Sequence, residues 1–160
     1  MRKLLILFSV SMSVLLYACD GASGDNTSSG NADNSSAAAN NSAASYDPER
    51  GEGKFSNVEL SDKLNTTIAD AGEKVYGVKC AACHKLTDEK LVGPGWKGVT
   101  TRHKPEWIMN FVTNPDAMLD KDPKAQAMLE ICMVRMPNQN LSDDDARSVL
   151  EFMRKNDGVQ

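Results

Sequence analysis

The sequence has no large excess of charge of either sign. Its 160 residues include 18 Lys and Arg against 22 Asp and Glu, which gives a net charge of −4 with neutral histidines. Nucleic-acid-binding domains usually carry a strongly basic face, so this composition gives no reason to expect nucleic acid as a partner. The length allows one domain of ordinary size plus additional segments.

The sequence also lacks an N-terminal apolar run that is long enough to span a membrane as a helix. Residues 4–16 are apolar apart from serines, and Arg2 and Lys3 precede them. This arrangement is typical of a secretory signal peptide, which we predict for residues 1–18. The segment ends in "LYAC", which resembles the bacterial lipobox and implies that Cys19 is lipidated. A plain secretory peptide and an uncleaved membrane anchor are the alternatives.

Large apolar side chains are absent from residues 20–45. These 26 residues include seven Ser, seven Ala, five Asn and three Gly. Such a segment cannot bury enough apolar surface to offset the entropy of ordering it. We therefore predict a disordered tether over residues 19–56, beginning at the lipidated Cys19, and a folded domain over residues 57–160.

Strand signals are almost absent from that domain, whereas signals for helix ends are frequent. The predicted helix starts include Asp70 as an N-cap, Pro105 in a first helical turn, Asp122-Pro123 at the beginning of a helix, and Ser142 with Asp145 as a capping box. Gly158 suits the end of the last helix. The sequence thus predicts an all-α domain of about four helices.

The motif "KCAACHK" carries the chemistry of the domain, through Cys80, Cys83 and His84. Two thiols at this spacing can form thioethers with the two vinyl groups of a haem, and the adjacent histidine can coordinate its iron. A thioredoxin-like redox pair would need a βαβ context that is missing. A zinc site would need a second Cys/His pair, for which Cys132 and His103 are poor candidates.

These residues resemble the small class I, single-haem cytochromes c of bacteria, over roughly residues 69–155. The shared features are "GEKVYGVKCAACH", a Gly-Pro in "LVGPGWKGV" and "MPNQNLSDDDARSVLEFM". The resemblance implies a small cytochrome c fold around one covalent haem c, in which an aromatic late in the last helix, here Phe152, packs near the first. It also implies that the Pro94 carbonyl accepts a hydrogen bond from His84, and that Met136 is the sixth iron ligand. Pro137 agrees with that role, because it disfavours helical geometry at Met136.

The remaining sulfur and imidazole groups have plainer interpretations. Met133 lies on a helical pattern and is predicted to pack in the core beside the haem, and packing is also predicted for Met109, Met118, Met128 and Met153. His103 lies between Arg102 and Lys104, and we predict a solvated surface side chain. Cys132 has no intramolecular disulfide partner left and is interpreted as a buried thiol, with an intermolecular disulfide or iron ligation as alternatives.

An iron with both axial positions filled has no open place for a substrate, so we predict a one-electron carrier rather than an enzyme. The expected partners are a quinol-oxidising complex as donor, and a terminal oxidase or periplasmic reductase as acceptor. The stretch "GWKGVTTRHKPEWIMNFVTNP" resembles tethered cytochromes associated with nitrous-oxide reductase. We expect no small-molecule substrate.

We expect the protein on the periplasmic side of a bacterial membrane, held by its lipid. Asp20 after Cys19 resembles an inner-membrane retention signal. Residues 79–104 include six basic and two acidic side chains. This local excess of positive charge indicates that the domain is steered toward an acidic surface of its partner. A haem sensor or enzyme with a displaceable sixth ligand, and a haem-free thiol redox protein, are the alternative functions.

Overall fold

The computed structural model describes residues 46–160. The predicted signal peptide over residues 1–18, the lipidation site Cys19 and most of the predicted tether lie outside the described residues. Residues 46–160 contain six helices: α1 (Thr66–Lys79), α2 (Val99–Arg102), α3 (Pro105–Thr113), α4 (Pro115–Lys121), α5 (Pro123–Cys132) and α6 (Asp143–Asn156). Over this range there is no strand beyond an isolated bridge between His84 and Lys90, so the predicted all-α class is confirmed. The prediction of about four helices missed the short α2 and α4.

The first helix begins earlier than the sequence suggested. Asn65, rather than Asp70, is the N-cap of α1, and its side chain accepts a hydrogen bond from the Ile68 N–H. Asp70 lies inside the helix, where its carboxylate pairs with Lys155 at 2.9 Å. The prediction failed because Asn65 and Asp70 are both good capping residues, and the two threonines after Asn65 weaken the helical pattern there.

Helices α3, α4 and α5 follow one another with single residues between them. Asn114 ends α3 and caps α4, and Asp122 ends α4 and caps α5. Each of the three helices has proline in its first turn, where the missing N–H has no intrahelical role. The repeated cap-proline pairs turn the chain sharply twice, and α3 and α5 thereby supply walls of the same cavity.

The last helix packs across the first. Its capping box of Ser142 and Asp145 is present as predicted, and its stripe of Ala146, Val149, Leu150 and Met153 is buried. At the crossing, Gly72 of α1 lies so close to the Ser148 carbonyl that a Cβ at Gly72 would overlap it. Ala69 of α1 and Leu150 and Phe152 of α6 are buried, and burial of apolar surface contributes about 25 cal/mol per Å² to stability.

Residues 46–56 pack on the helices, so the predicted domain boundary at residue 57 falls inside the folded region. Asn110 of α3, fully buried, bonds this segment through its side-chain amide: it accepts from the Phe55 N–H and donates to the carbonyls of Arg50 and Phe55. Tyr46 donates from its hydroxyl to the buried Asp122 carboxylate. The segment has few large apolar residues, and its attachment is mostly polar.

Among residues 46–160, none of the helices combines the length and the apolar character needed to cross a membrane.

Candidate functional site

A cavity of about 530 Å³ opens between the segment after α1, helices α3 and α5, and the loop after α5. Most of its walls are apolar, and they include Trp96, Ile108, Phe111, Val112, Leu129 and Met153. Three of the residues singled out in the sequence, Cys83, His84 and Met136, line it together with Pro94. The fold therefore brings Cys83 and Met136, which lie 53 positions apart, onto one cavity.

The cysteine motif forms a tight turn at the end of α1. Cys80 is the C-cap of that helix, and its carbonyl accepts hydrogen bonds of 3.0 Å from the N–H groups of Cys83 and His84. Burial raises the pKa of the Cys80 thiol to about 11, so a free thiol there is protonated. The turn places Cys83 and His84 in the cavity lining, whereas Cys80 is buried and is not one of the lining residues.

The His84 ring is held in one orientation. Its Nδ1 lies 2.8 Å from the Pro94 carbonyl oxygen, which is the hydrogen bond expected from the sequence. Burial lowers the pKa of His84, while the Pro94 carbonyl acts in the opposite direction. With Nδ1 as the donor in this bond, Nε2 is left as the basic nitrogen, which is the state a metal ligand requires.

Gly93 provides the space that the ring needs. A Cβ at this position would overlap the His84 ring, and the Gly93 N–H is itself bound to the Cys83 carbonyl at 2.9 Å. Tyr76 of α1 donates from its hydroxyl to the His84 carbonyl at 2.8 Å, and its ring lies 5.4 Å from that of Phe152. The aromatic packing expected between the first and last helices is therefore present, and it supports the backbone of His84.

The loop after α5 separates the two candidate methionines. Met133 ends the helix in a left-handed conformation with φ of 58°, and its side chain is 82% exposed. The prediction that Met133 packs in the core was wrong, because the left-handed turn rotates it out of the helical pattern. Met136 lies three residues further on, half-buried, in the cavity wall. Lys79 donates to the Gln139 carbonyl at 3.0 Å and holds this loop against α1.

These residues fit a haem. The cavity is predominantly apolar, as a porphyrin ring requires, and it has an imidazole with a free Nε2, a thioether sulfur and a cysteine turn in its lining. The missing Cβ at Gly93 leaves room for the His84 imidazole at the cavity.

Comparison with known proteins agrees with this chemistry. A family model described as cytochrome c matches residues 69–157, more than half of the chain. The chain belongs to the cytochrome c family. Membership implies a covalently bound haem c and haem-based electron transfer.

Two solved structures illustrate the relationship. Cytochrome c from Rhodothermus marinus is 32% identical, with a TM-score of 0.64 over 66% of this chain and 90% of the other. An engineered cytochrome c from the same organism, Rma TDE, is also 32% identical, with a TM-score of 0.66 over 69% of this chain and 98% of the other. A further structure of Rma TDE is described as bound to a carbene intermediate.

In this cytochrome c the burial of two residues, His103 and Cys132, differs from what the sequence predicted. His103 was predicted to be a solvated surface side chain, but its ring is half-buried, lies in the cavity wall and stacks on Trp107 with centroids 3.9 Å apart. His103 ends α2 whereas Trp107 lies in α3, so helical spacing gives no signal for this stack. Cys132 is a free thiol that is half-buried and lines the same cavity. Met109, Met118 and Met153 are buried in the core, and Met128 packs against it, as predicted.

Proposed function

We propose that this cytochrome c carries single electrons with His84 and Met136 as the two axial ligands, and that Cys80 and Cys83 form the thioether bonds. The observation that carries the proposal is the presence of His84 and Met136 on one apolar cavity, with the His84 Nδ1 fixed by Pro94. When bound, the haem supplies a one-electron change at its iron. The protein residues keep the ligands in place and water out.

Each of these residues has a defined task. The Pro94 carbonyl accepts from Nδ1, so Nε2 points its lone pair away from the backbone and becomes a stronger donor to a metal. The Met136 thioether is a neutral, soft ligand that favours the reduced state. Because both axial positions are filled by the chain, no position is left for a small-molecule substrate, and we propose an electron carrier rather than an enzyme.

We further propose that the protein is held by a lipid on Cys19 at the periplasmic side of a bacterial membrane. The support is the sequence: a short apolar run after Arg2 and Lys3, the lipobox-like "LYAC", and a following segment without large apolar side chains. The inner membrane is proposed because of Asp20. A quinol-oxidising complex is the proposed donor, and a terminal oxidase or a periplasmic reductase, such as nitrous-oxide reductase, the proposed acceptor.

A redox titration followed by optical spectra tests the ligand pair. We expect covalently retained haem by haem staining after denaturing electrophoresis, and a weak Met-to-iron charge-transfer band in the ferric protein. The absence of that band, or rapid binding of carbon monoxide to the reduced form, would instead favour a displaceable sixth ligand. The carbene-bound engineered relative makes this the second candidate. Loss of haem under denaturing conditions would contradict both.

The anchor is tested separately by replacing Cys19 with Ser in the full chain. We expect the wild-type protein in the membrane fraction and Cys19→Ser in the periplasmic fraction, because the serine cannot form the thioether to lipid. Membrane retention of Cys19→Ser would overturn lipid anchoring and leave the electron-transfer proposal intact.

A further inference from the structure

The loop after α5, residues 133–140, carries Met136 and has little burial of its own. Six of its eight residues are exposed, and only Met136 and Gln139 are half-buried. Within residues 46–160, no backbone–backbone hydrogen bond involves residues 134–140. Neither burial nor backbone pairing therefore accounts for the position of Met136 in the cavity wall.

Both ends of this loop have an unfavourable backbone conformation. Met133 has a φ of 58° and Asn140 a φ of 50°. Residues other than glycine adopt this left-handed conformation only where surrounding contacts maintain it. If the contacts of the loop are lost, its backbone can change conformation at both ends.

Polar side chains supply the contacts that hold the loop. Lys79 of α1 donates to the Gln139 carbonyl at 3.0 Å, and Asn138 donates from its amide to the Thr113 carbonyl at 3.5 Å. Both contacts end on a neutral backbone carbonyl. They attach the second half of the loop, after Met136, to α1 and to the end of α3.

The first half of the loop is attached by an ionic contact of Arg135. Its Nη2 lies 3.3 Å from Asp116 Oδ1 and 3.1 Å from Asp120 Oδ1. The two aspartates are four residues apart in α4, so they lie on one face of that helix, whose middle is buried. Arg135 directly precedes Met136 in the sequence. These three charged residues, the Arg135 clamp, thus join the neighbour of the candidate ligand to a fixed part of the fold.

We propose that Arg135 is a positioning residue for electron transfer: its ion pairs with Asp116 and Asp120 hold Met136 at the cavity and oppose displacement of that ligand. A carrier that keeps the same ligands in both oxidation states needs Met136 to stay in place when the charge on the iron changes. The inference rests on the proposed role of Met136 as the sixth ligand.

The size of the effect follows from the exposure of the clamp. The side chains of Arg135, Asp116 and Asp120 are 48%, 65% and 66% exposed, so solvent weakens their attraction. One exposed ion pair changes an equilibrium by about 1.5- to 5-fold, and two pairs should favour the closed loop by about two- to tenfold. Because the Debye length falls from about 30 Å in 0.01 M salt to about 3 Å in 1 M salt, much of this contribution should be lost at high salt.

Binding of neutral imidazole to the ferric full-length protein measures how readily Met136 leaves, because the added ligand needs the sixth position. We expect Arg135→Gln to bind imidazole about two- to tenfold more tightly than wild type. Asp116→Asn combined with Asp120→Asn should have the same effect, and adding Arg135→Gln to that pair should change the affinity no further. In wild type, the affinity should rise with salt, which requires no variant.

Lys155→Gln is the matched control. Lys155 also joins one cation to two carboxylates, Asp70 at 2.9 Å and Glu73 at 3.3 Å, and it lies outside the cavity lining. The control loses the same charge and the same number of ion pairs, so its imidazole affinity should equal that of wild type. An Arg135→Gln affinity equal to that of wild type, or an equal rise in Lys155→Gln, would overturn the proposal.

A second measurement reports on the loop itself. Backbone ¹⁵N relaxation of the reduced protein should give lower order parameters over residues 134–138 in Arg135→Gln than in wild type or Lys155→Gln. A wild-type protein without the Met-to-iron charge-transfer band would overturn the ligand pair and this inference with it. The band in wild type, together with unchanged affinity and unchanged order parameters in Arg135→Gln, would overturn this inference alone.

Discussion

At the scale of single residues, the two methionines of the loop after α5 show how a short distance in sequence becomes a difference in role. Met133 and Met136 are three residues apart, which on a continuing helix would place them on one face. The left-handed conformation at Met133 breaks this relation and leaves its side chain outside while Met136 faces the cavity. The ligand assignment therefore depends on where the helix ends.

Replacing Met136 with Ala should abolish the charge-transfer band of the ferric protein and lower the midpoint potential, because the thioether stabilises ferrous iron. Met133→Ala is the matched control, since its side chain is 82% exposed and away from the cavity. Optical spectra and redox titration of both variants make the comparison. The reverse pattern, with Met133→Ala losing the band, would exchange the roles of the two residues.

Gly93→Ala should disturb the His84 ring without replacing either candidate ligand. The new Cβ overlaps the imidazole, so we expect a fall in the free energy of unfolding of about 1–3 kcal/mol, typical of overpacking, with a changed ferric spectrum. Chemical denaturation and optical spectra measure the two effects. Leu91→Ala, at an exposed neighbouring position outside the cavity lining, should change neither.

Residue roles could be predicted from the sequence where the chemistry of a site fixes the spacing of its residues. They could not be predicted where tertiary packing decides whether a side chain is buried. The Cys80, Cys83 and His84 turn and the Pro94 bond follow from a short motif and its family resemblance. His103 was assigned to the surface from its charged neighbours Arg102 and Lys104. Nothing in those neighbours indicates that the ring turns onto Trp107 and becomes half-buried.

At the scale of elements, the crossing of α1 and α6 is the part of the fold that fixes the base of the site. Tyr76 and Phe152 meet near this crossing, and Tyr76 also bonds the His84 carbonyl. A change in the distance between the two helices would therefore displace the backbone of the cysteine motif.

Gly72→Ala should separate these helices, because its Cβ would overlap the Ser148 carbonyl. We expect a loss of roughly 3 kcal/mol or more in the free energy of unfolding, at the upper end of overpacking effects. Gly77→Ala, in the same helix with open space around it, should instead gain about 0.5–1 kcal/mol from helix propensity. Denaturant titration of both variants tests this. Equal changes in the free energy of unfolding for Gly72→Ala and Gly77→Ala would mean that the crossing tolerates a side chain at position 72.

The helices themselves were predictable to different degrees. Helices α3, α5 and α6 carry proline or a capping box at their starts, and their N-terminal positions were recognised from the sequence. Helix α2 has four residues and no side-chain cap of its own: its first turn is held by Asp157, whose carboxylate accepts from Gly98 and Thr100. Because that partner lies 57 residues or more away along the chain, local sequence patterns do not reveal it.

At the scale of the whole molecule, the folded region includes a segment that composition assigned to the tether. Residues 46–56 contain little apolar surface, and their attachment rests on the Asn110 amide and on ion pairs such as Glu49 with Lys124 and Glu52 with Lys121. Counting apolar residues underestimates this kind of polar docking.

Asn110→Ala should release the segment, because the Phe55 N–H and the carbonyls of Arg50 and Phe55 lose their partner together. We expect about 2–4 kcal/mol of lost stability and faster hydrogen exchange at Phe55. The exposed Asn57→Ala serves as control. Unchanged exchange at Phe55 would show that the ion pairs and the Tyr46 hydrogen bond hold the segment without Asn110.

The attachment of Tyr46 to Asp122 has a mechanical consequence. A pull applied through Tyr46 would load Asp122, which also holds Trp107 in the cavity wall and caps α5. The load then reaches α5 before it reaches α1 and the cysteine turn. Under such a load, the wall carrying His103 and Trp107 should yield first, while the cysteine turn at the end of α1 remains unstrained.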